Sequence, residues 1–360
     1  MKFRLEDGIQ TQKGCINKNQ GGEKMFNVKV RRGKILMGII LMLVLAAALT
    51  GVVIAKQNLV TVNVAYQPNM NGASIIAVGM EKKFFEEYGI KVNPINFLSG
   101  PPELQAMAAG DVDLGYIGPG ATFLAAQGLA KILTIDNISF SDSVLATKKS
   151  GIKSVKDLKG KTVATPKGTT GEQLLLLALE RNNINPADVN IVNMDVAGVV
   201  AAFVAGKVDA VAIWSPYTVE IEKQLKKENV MVLASFKNYP DKASPASYLV
   251  RPDFLEKNPD VVVRFLKGWI KANDYRKKNL NNSIEFTGKL LVQVQQEQLA
   301  QMASITQFYS SKDLNRMLQD GSVYKMYDNL IKAFVKNGQL QQYVDPKNFV
   351  DPAPFNKAMK

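Results

Sequence analysis

The chain has 360 residues, 46% hydrophobic and 21% charged, enough for two cores of ordinary domain size, so a wholly disordered polypeptide is excluded. It has no His and a single Cys, Cys15, which removes His proton shuttles, His-ligated zinc and Cys–His nucleophile pairs from the possible chemistries. The net charge of +13 is concentrated at the start: the segment before Lys56 holds 9 of the 45 basic and 3 of the 32 acidic side chains, leaving 36 against 29, and Lys153, Lys156, Lys159 and Lys161 are spaced like a solvated face, so no nucleic-acid partner is expected.

Residues 1–34 form a basic N-terminal segment, and residues 35–55 (ILMGIILMLVLAAALTGVVIA) carry no charge over about the 20 positions that a bilayer-spanning helix needs. Lys29, Arg31, Arg32 and Lys34 favour keeping that flank in the cytoplasm, which places the remainder of the chain outside it. Val53 and Ala55 suit a signal-peptidase cut, whereas the length of the run suits a retained anchor, and both readings stay open. Met25 begins a stretch shaped like a conventional basic leader, so a start at Met1 or at Met25 is equally compatible. No Cys lies in or just after the apolar run to accept a lipid.

From Val60 to Tyr66 (VTVNVAY) the residues alternate as in a strand, and Asn71-Gly72 then opens an amphipathic helix closing near Tyr88-Gly89. The pattern repeats: residues 90–97 are strand-like, 101–109 helix-like with Gly110 as the stop, and 112–117 strand-like again. A second set begins near Ser154 with a short helix and a strand, continues with a helix from Gly171 to about Asn182, and ends with strand, helix and strand over 188–214. Such alternation predicts two parallel sheets covered by helices. An internal repeat supports two units, because LQAMAAGDVDLGYIG (residues 104–118) aligns with AAFVAGKVDAVAIWS (201–215). Asp113 and Asp209 occupy the same place in it and are expected to fix a turn by local hydrogen bonds. Residues 141–148 and 245–251 read as two crossings between the units, which make a hinge. Lobe 1 is therefore expected over 60–144 and 246–360, and lobe 2 over 145–245. After Arg251 the pattern is almost wholly helical, including one stretch over 288–302 and another over 322–338, and these helices are expected to pack on lobe 1 with Trp269 in the core.

Ligands of open α/β sheets bind beyond the carboxyl ends of the strands. Four loops lie there: 66–73 (YQPNMNGA), 118–122 (GPGAT), 167–171 (KGTTG) and 214–217 (WSPY). Glycine admits close approach and helix starts offer unpaired N–H donors, a combination that favours an anion. Thr122, Thr169, Thr170 and Ser215 add hydroxyls, Tyr66, Trp214 and Tyr217 can wall an apolar part, and Lys167 is an exposed neighbour more than a counter-charge. No Walker A order and no Gly-x-Ser-x-Gly elbow occur, and no metal or cofactor site is expected.

These blocks (VNVAYQPN, FLSGPPELQAMAAGDVDLGYIGPGA, GIKSVKDLKGKTVATPKGTTGEQLLLLALERNNINPADVNIVN, GKVDAVAIWSPY and SYLVRPDFLEKNPDVVVRFLKGW) together resemble the SsuA/TauA group of ABC-importer solute-binding proteins within the NMT1/THI5-like family. The resemblance spans roughly 60–278. It implies a type II periplasmic-binding-protein fold, here preceded by one N-terminal hydrophobic helix, with a ligand held between lobes by Tyr66, Gln67, Gly118, Gly120, Ala121, Thr169, Thr170, Trp214 and Tyr217. It further implies an extracytoplasmic, monomeric receptor, not an enzyme, that delivers a small anion (sulfonate, taurine or nitrate) to an ABC permease and its ATPase, and that meets the membrane through 35–55 if uncleaved. A thiamine-precursor-type pyrimidine is the alternative ligand. An enzyme of the pyrimidine-synthase kind has no His to work with, and a membrane-tethered sensor has no signalling domain beyond the apolar run.

Overall fold

The computed structural model describes residues 59–360; the basic segment, the apolar run 35–55, Cys15 and Met25 lie outside the described residues. Among the described residues no helix is long and apolar enough to cross a membrane. The first strand, β1 (Val60–Tyr66), buries alternate residues and then its whole carboxyl end. Asn69 then caps α1 (Met70–Glu81) by accepting a hydrogen bond from Gly72 N at 2.8 Å. Gly89, at φ 68°, turns the chain into β2 (Ile90–Asn96), and two prolines open α2 (Gly100–Ala109), which Gly110 stops at φ 94°. Next come β3 (Leu114–Ile117), α3 (Thr122–Ala126), β4 (Lys131–Ile135), β5 (Asn137–Ser139) and β6 (Asp142–Thr147).

The second set follows as β7 (Thr162–Thr165), α4 (Thr170–Arg181), β8 (Asn190–Asn193), α5 (Val196–Val204), β9 (Ala210–Trp214), α6 (Tyr217–Leu225), β10 (Val230–Ser235) and β11 (Ser247–Val250). The tail comprises α7 (Pro252–Lys257), α8 (Pro259–Lys278), α9 (Leu280–Leu290), α10 (Gln296–Ser304), β12 (Thr306–Phe308), α11 (Ser311–Gln319), α12 (Ser322–Lys336) and α13 (Ala353–Ala358).

One five-stranded sheet has the order β2-β1-β3-β11-β4 and the other, read from its far edge, β8-β7-β9-β6-β10. The two orders correspond strand for strand. Neither sheet is wholly parallel, however: β11 runs antiparallel to β3 and β4, and β6 antiparallel to β9 and β10. The segments read as bare crossings are thus sheet strands. A chain arriving from the other half enters against the local strand direction, and pairing satisfies backbone groups that would otherwise be buried without partners. β6 joins the second sheet from Asp142 onward, slightly earlier than the expected boundary at 144.

One continuous core unites the first sheet with the tail helices. Trp269 is wholly buried there, edge-on to Tyr248 at 5.6 Å and to Phe355 at 6.0 Å. The second sheet has separate, smaller cores on its two faces. Beside the crossing, the fully buried Arg276 pairs with the fully buried Asp136 at 2.5 Å, donates to Ser74 Oγ at 3.0 Å, and lies over the Phe308 ring at 4.2 Å. The stretch expected as one helix over 288–302 breaks at residues 291–295, with Val292 87% exposed. The tail is helical apart from one short strand, β12, which pairs antiparallel with β5, and Phe140 N donates to Ile305 O at 3.1 Å.

Candidate functional site

The carboxyl ends of β1, β3, β7 and β9 carry the four loops, and two of them touch. A methyl group added at Gly120 would fall on the Thr169 carbonyl carbon and the Thr170 nitrogen, so backbone lies directly on backbone. Gly120 N donates to Thr170 Oγ1 at 3.5 Å, and a Cβ at Gly118 would sit 2.9 Å from the same hydroxyl. On the tail side, Gln339 Nε2 donates to Glu172 Oε2 at 2.9 Å and Lys336 pairs with Glu180 at 2.6 Å, so α12 also reaches α4.

Beneath these contacts is a narrow crevice with about 50 Å³ of free space, lined from both sheets. Of the sequence-predicted residues, Gln67, Gly118, Ala121, Thr169, Thr170 and Trp214 line it. Gly120 does not: it is the point where the loops meet. Tyr66 and Tyr217 face away, lining an open groove with Pro68, Leu98 and Val292. The ring of Tyr217 meets Trp214 edge-on at 5.8 Å, and burial pushes its hydroxyl pKa up to about 12. Lys167 is exposed and outside the lining.

The other contributors are not among the individually predicted residues, although Asn69 and Asn71 fall within the expected 66–73 loop. Asn69 and Asn71 start α1, Ser139, Ser141 and Asp142 come from the crossing, and Phe236 and Ser244 come from the stretch after β10. Asn71 accepts from Thr306 Oγ1 at 3.0 Å, and Ser139 donates to Ser141 at 3.0 Å. The polar serines and acid in SFSDSVLAT (residues 139–147), next to an apolar strand, were the available signal.

Two features define the electrostatics. The N-caps of α2 and α4, Ser99 and Thr169, make no side-chain cap bond, and Gly100 and Thr170 just beyond them line the crevice, leaving first-turn N–H donors to face it. The other feature is acidic. Asp142 is the single acidic or basic residue in the lining, it is 4% exposed, and its Oδ1 has no hydrogen-bond partner. Burial raises its carboxyl pKa to about 8, an effect that its own backbone N–H only partly offsets. Behind the lining lies Glu103, fully buried and with neither carboxyl oxygen in a hydrogen bond, whose carboxyl is pushed well up by desolvation. Among the described residues no group of three or more His, Cys, Asp or Glu side chains gathers to hold a metal.

Two α/β halves of matching strand order, closed over a polar crevice by loops at their strand ends, define a bilobal binding-protein class of fold. A family model described as "NMT1/THI5 like" matches residues 70–280, and the chain belongs to that family. It is 36% identical over 296 residues, 82% of this chain and 92% of the other, to a Brucella abortus (strain 2308) protein whose name is that of a binding protein. It is 32% identical over 218 residues, 59% of this chain and 65% of the other, to the taurine-binding periplasmic protein of Escherichia coli (strain K12). Among solved structures, the alkanesulfonate-binding protein SsuA of Xanthomonas axonopodis pv. citri, bound to MOPS, superposes with a TM-score of 0.65 at 21% identity, covering 81% of this chain and 98% of that one. The desulfurization enzyme DszB superposes with a TM-score of 0.61 at 16% identity, covering 83% and 98%. Both structural likenesses speak to the fold alone.

Proposed function

We propose that this chain is the extracytoplasmic solute-binding receptor of an ABC importer, closing two lobes, 60–144 with 246–360 and 145–245, on a small organic solute with a sulfonate-like anionic end and passing it to a permease and its ATPase. The observation that carries this reading is the crevice itself: loops from both sheets line it and meet backbone to backbone at Gly120. A ligand contacting both loops binds the closed arrangement better than the open one, which is what a population-shift receptor requires. The donors at the starts of α2 and α4, with Thr169, Thr170 and Ser141, suit the anionic end. Relatives named for taurine and sulfonate binding support the same class of solute.

Catalysis is disfavoured by the residues present: no His occurs anywhere, and the one Cys lies outside residues 59–360. The test is a thermal-unfolding screen of the full chain against taurine, short alkanesulfonates, nitrate, sulfate and aminopyrimidines. A solute at about 100 times its dissociation constant adds roughly 2.7 kcal/mol to stability. A shift with one of them that Thr170→Val abolishes supports the receptor reading, and no shift with any of them rejects it.

A further inference from the structure

The crevice has an anion-friendly end and, across it, a buried acid with an unpartnered oxygen. Asp142 opens β6 directly opposite Trp214 of β9 in the antiparallel register. Residues so opposed project to the same face of a sheet, and both indeed line the crevice. The carboxyl is nine-tenths buried or better, one oxygen is unpartnered, and the lining contains no Lys or Arg to neutralise it. A buried carboxyl lacking a partner is costly, and an indole face beside it is the usual companion of a bound cation.

We infer that Asp142 is a selectivity residue, with which the crevice favours solutes that bring a nitrogen-bound proton, an ammonium or amino group, to the Asp142–Trp214 end over wholly anionic solutes such as nitrate, sulfate and plain alkanesulfonates, which offer its unpartnered oxygen no donor. The inference rests on the receptor reading above and sharpens it. The anionic end of the solute lies against the starts of α2 and α4, and the nitrogen lies against the carboxylate. Pairing with an ammonium restores the charged form of Asp142, so binding near neutral pH releases a proton from the carboxyl. The groups around Asp142 agree with this. From β3 comes the buried Tyr116, whose hydroxyl pKa is raised chiefly by desolvation, and from the crossing come the hydroxyls of Ser139 and Ser141; the buried Arg276 is already paired with Asp136.

Taurine and ethanesulfonate differ chiefly in the amine and make the discriminating pair. Isothermal titration calorimetry on the full chain, in buffers of differing ionisation enthalpy, is expected to show taurine binding at least about tenfold more tightly than ethanesulfonate, with proton release for taurine alone. Asp142→Asn is expected to bring taurine down to the level of ethanesulfonate and to remove the proton release. Tight, Asp142-dependent binding of an aminopyrimidine in place of taurine supports the inference and names the other source of the nitrogen. Ethanesulfonate or nitrate binding as tightly as taurine, with Asp142→Asn leaving the ratio unchanged, overturns the inference while the receptor reading stands. If no solute binds the folded chain, both fall together. Should Asp142→Asn not fold, the ranking of solutes and the proton release in the unaltered chain decide the matter alone.

Discussion

The two sheets use the same corner in different settings. Before β3 and before β9 a helix ends at a glycine of positive φ, Gly110 and Gly206, and three residues later an aspartate begins the descent into the strand. Asp113 Oδ2 accepts from Asn63 N at 2.9 Å, and Asp209 Oδ2 accepts from Thr162 N at 2.8 Å. Each aspartate's own N–H donates to the carbonyl of that same residue, both at 2.9 Å. These bonds reach the neighbouring strand and are not local to the turn, as the sequence pattern had suggested. The settings then diverge. Arg251 grips Asp113 at 2.8 Å and Val112 O at 3.2 Å, tying the first corner to the start of the tail, whereas Asp209 has no ion-pair partner among the described residues. Past the corner, β3 leads into Gly118-Pro119, where a glycine offers backbone to the crevice, and β9 ends in Trp214, which offers a side chain. What holds the fold is repeated, and what faces the crevice has specialised in opposite directions.

The largest expected effect tests the tail's hold on the first sheet. Arg276→Met leaves Asp136 buried without its partner and should cost about 3–5 kcal/mol in urea unfolding, with no equivalent site in the second half. A loss under about 1 kcal/mol would show that the pair is not needed.

The pH dependence of Asp142 comes next. Its folded carboxyl pKa, about 8, lies above the ordinary 3.8, so between those values the folded chain holds a proton that the unfolded chain releases. Its stabilisation of the fold is complete below about pH 4 and is lost as the pH rises through about 8. Asp142→Asn should flatten that slope by several kcal/mol in solute-free unfolding measured from pH 5 to 9. An unchanged slope would remove Asp142 from the account.

Gly120→Ala addresses the loop contact. It should weaken solute binding about 10- to 100-fold, roughly 1.4–2.8 kcal/mol, while unfolding of the solute-free chain hardly changes, because the methyl obstructs closure and not either core. Small-angle scattering should then find the variant open with saturating solute. The corner comparison itself predicts that Asp113→Asn costs about 1.5–3 kcal/mol and Asp209→Asn about 1, since only the former also surrenders an ion pair, that with Arg251. Equal losses would mean that Arg251 adds nothing.

The alternation of strand and helix was legible because buried strands read as apolar runs and helices end at glycines, and the internal repeat announced two halves. β6 and β11 were not read as strands, because an extended segment that crosses between halves has the same local pattern whether or not it pairs. The break at residues 291–295 was hidden by Leu290, Leu291, Val292 and Val294, which prolong the apolar periodicity through it. Within the site, the loops were legible from glycine and hydroxyl residues at strand ends. Asp142, Phe236 and Ser244 were not, since they reach the crevice through contacts far apart in sequence. Gly120 was read as a ligand contact where it serves as a backbone seat. Tyr66 and Tyr217 were placed in the right loops but face the other way.

The ribbon of β5 and β12 has one further consequence. It lays a late piece of the chain over the crossing, bonded through the Phe140 N–H and through Thr306 to Asn71 and Ser139. The exposed break around Val292, the natural place for a protease to nick, lies upstream of that ribbon. One cut there leaves both sheets covalently whole while freeing the strap across their pivot, so susceptibility to limited digestion reports on the mechanics of opening even though the cleaved bond lies outside the crevice.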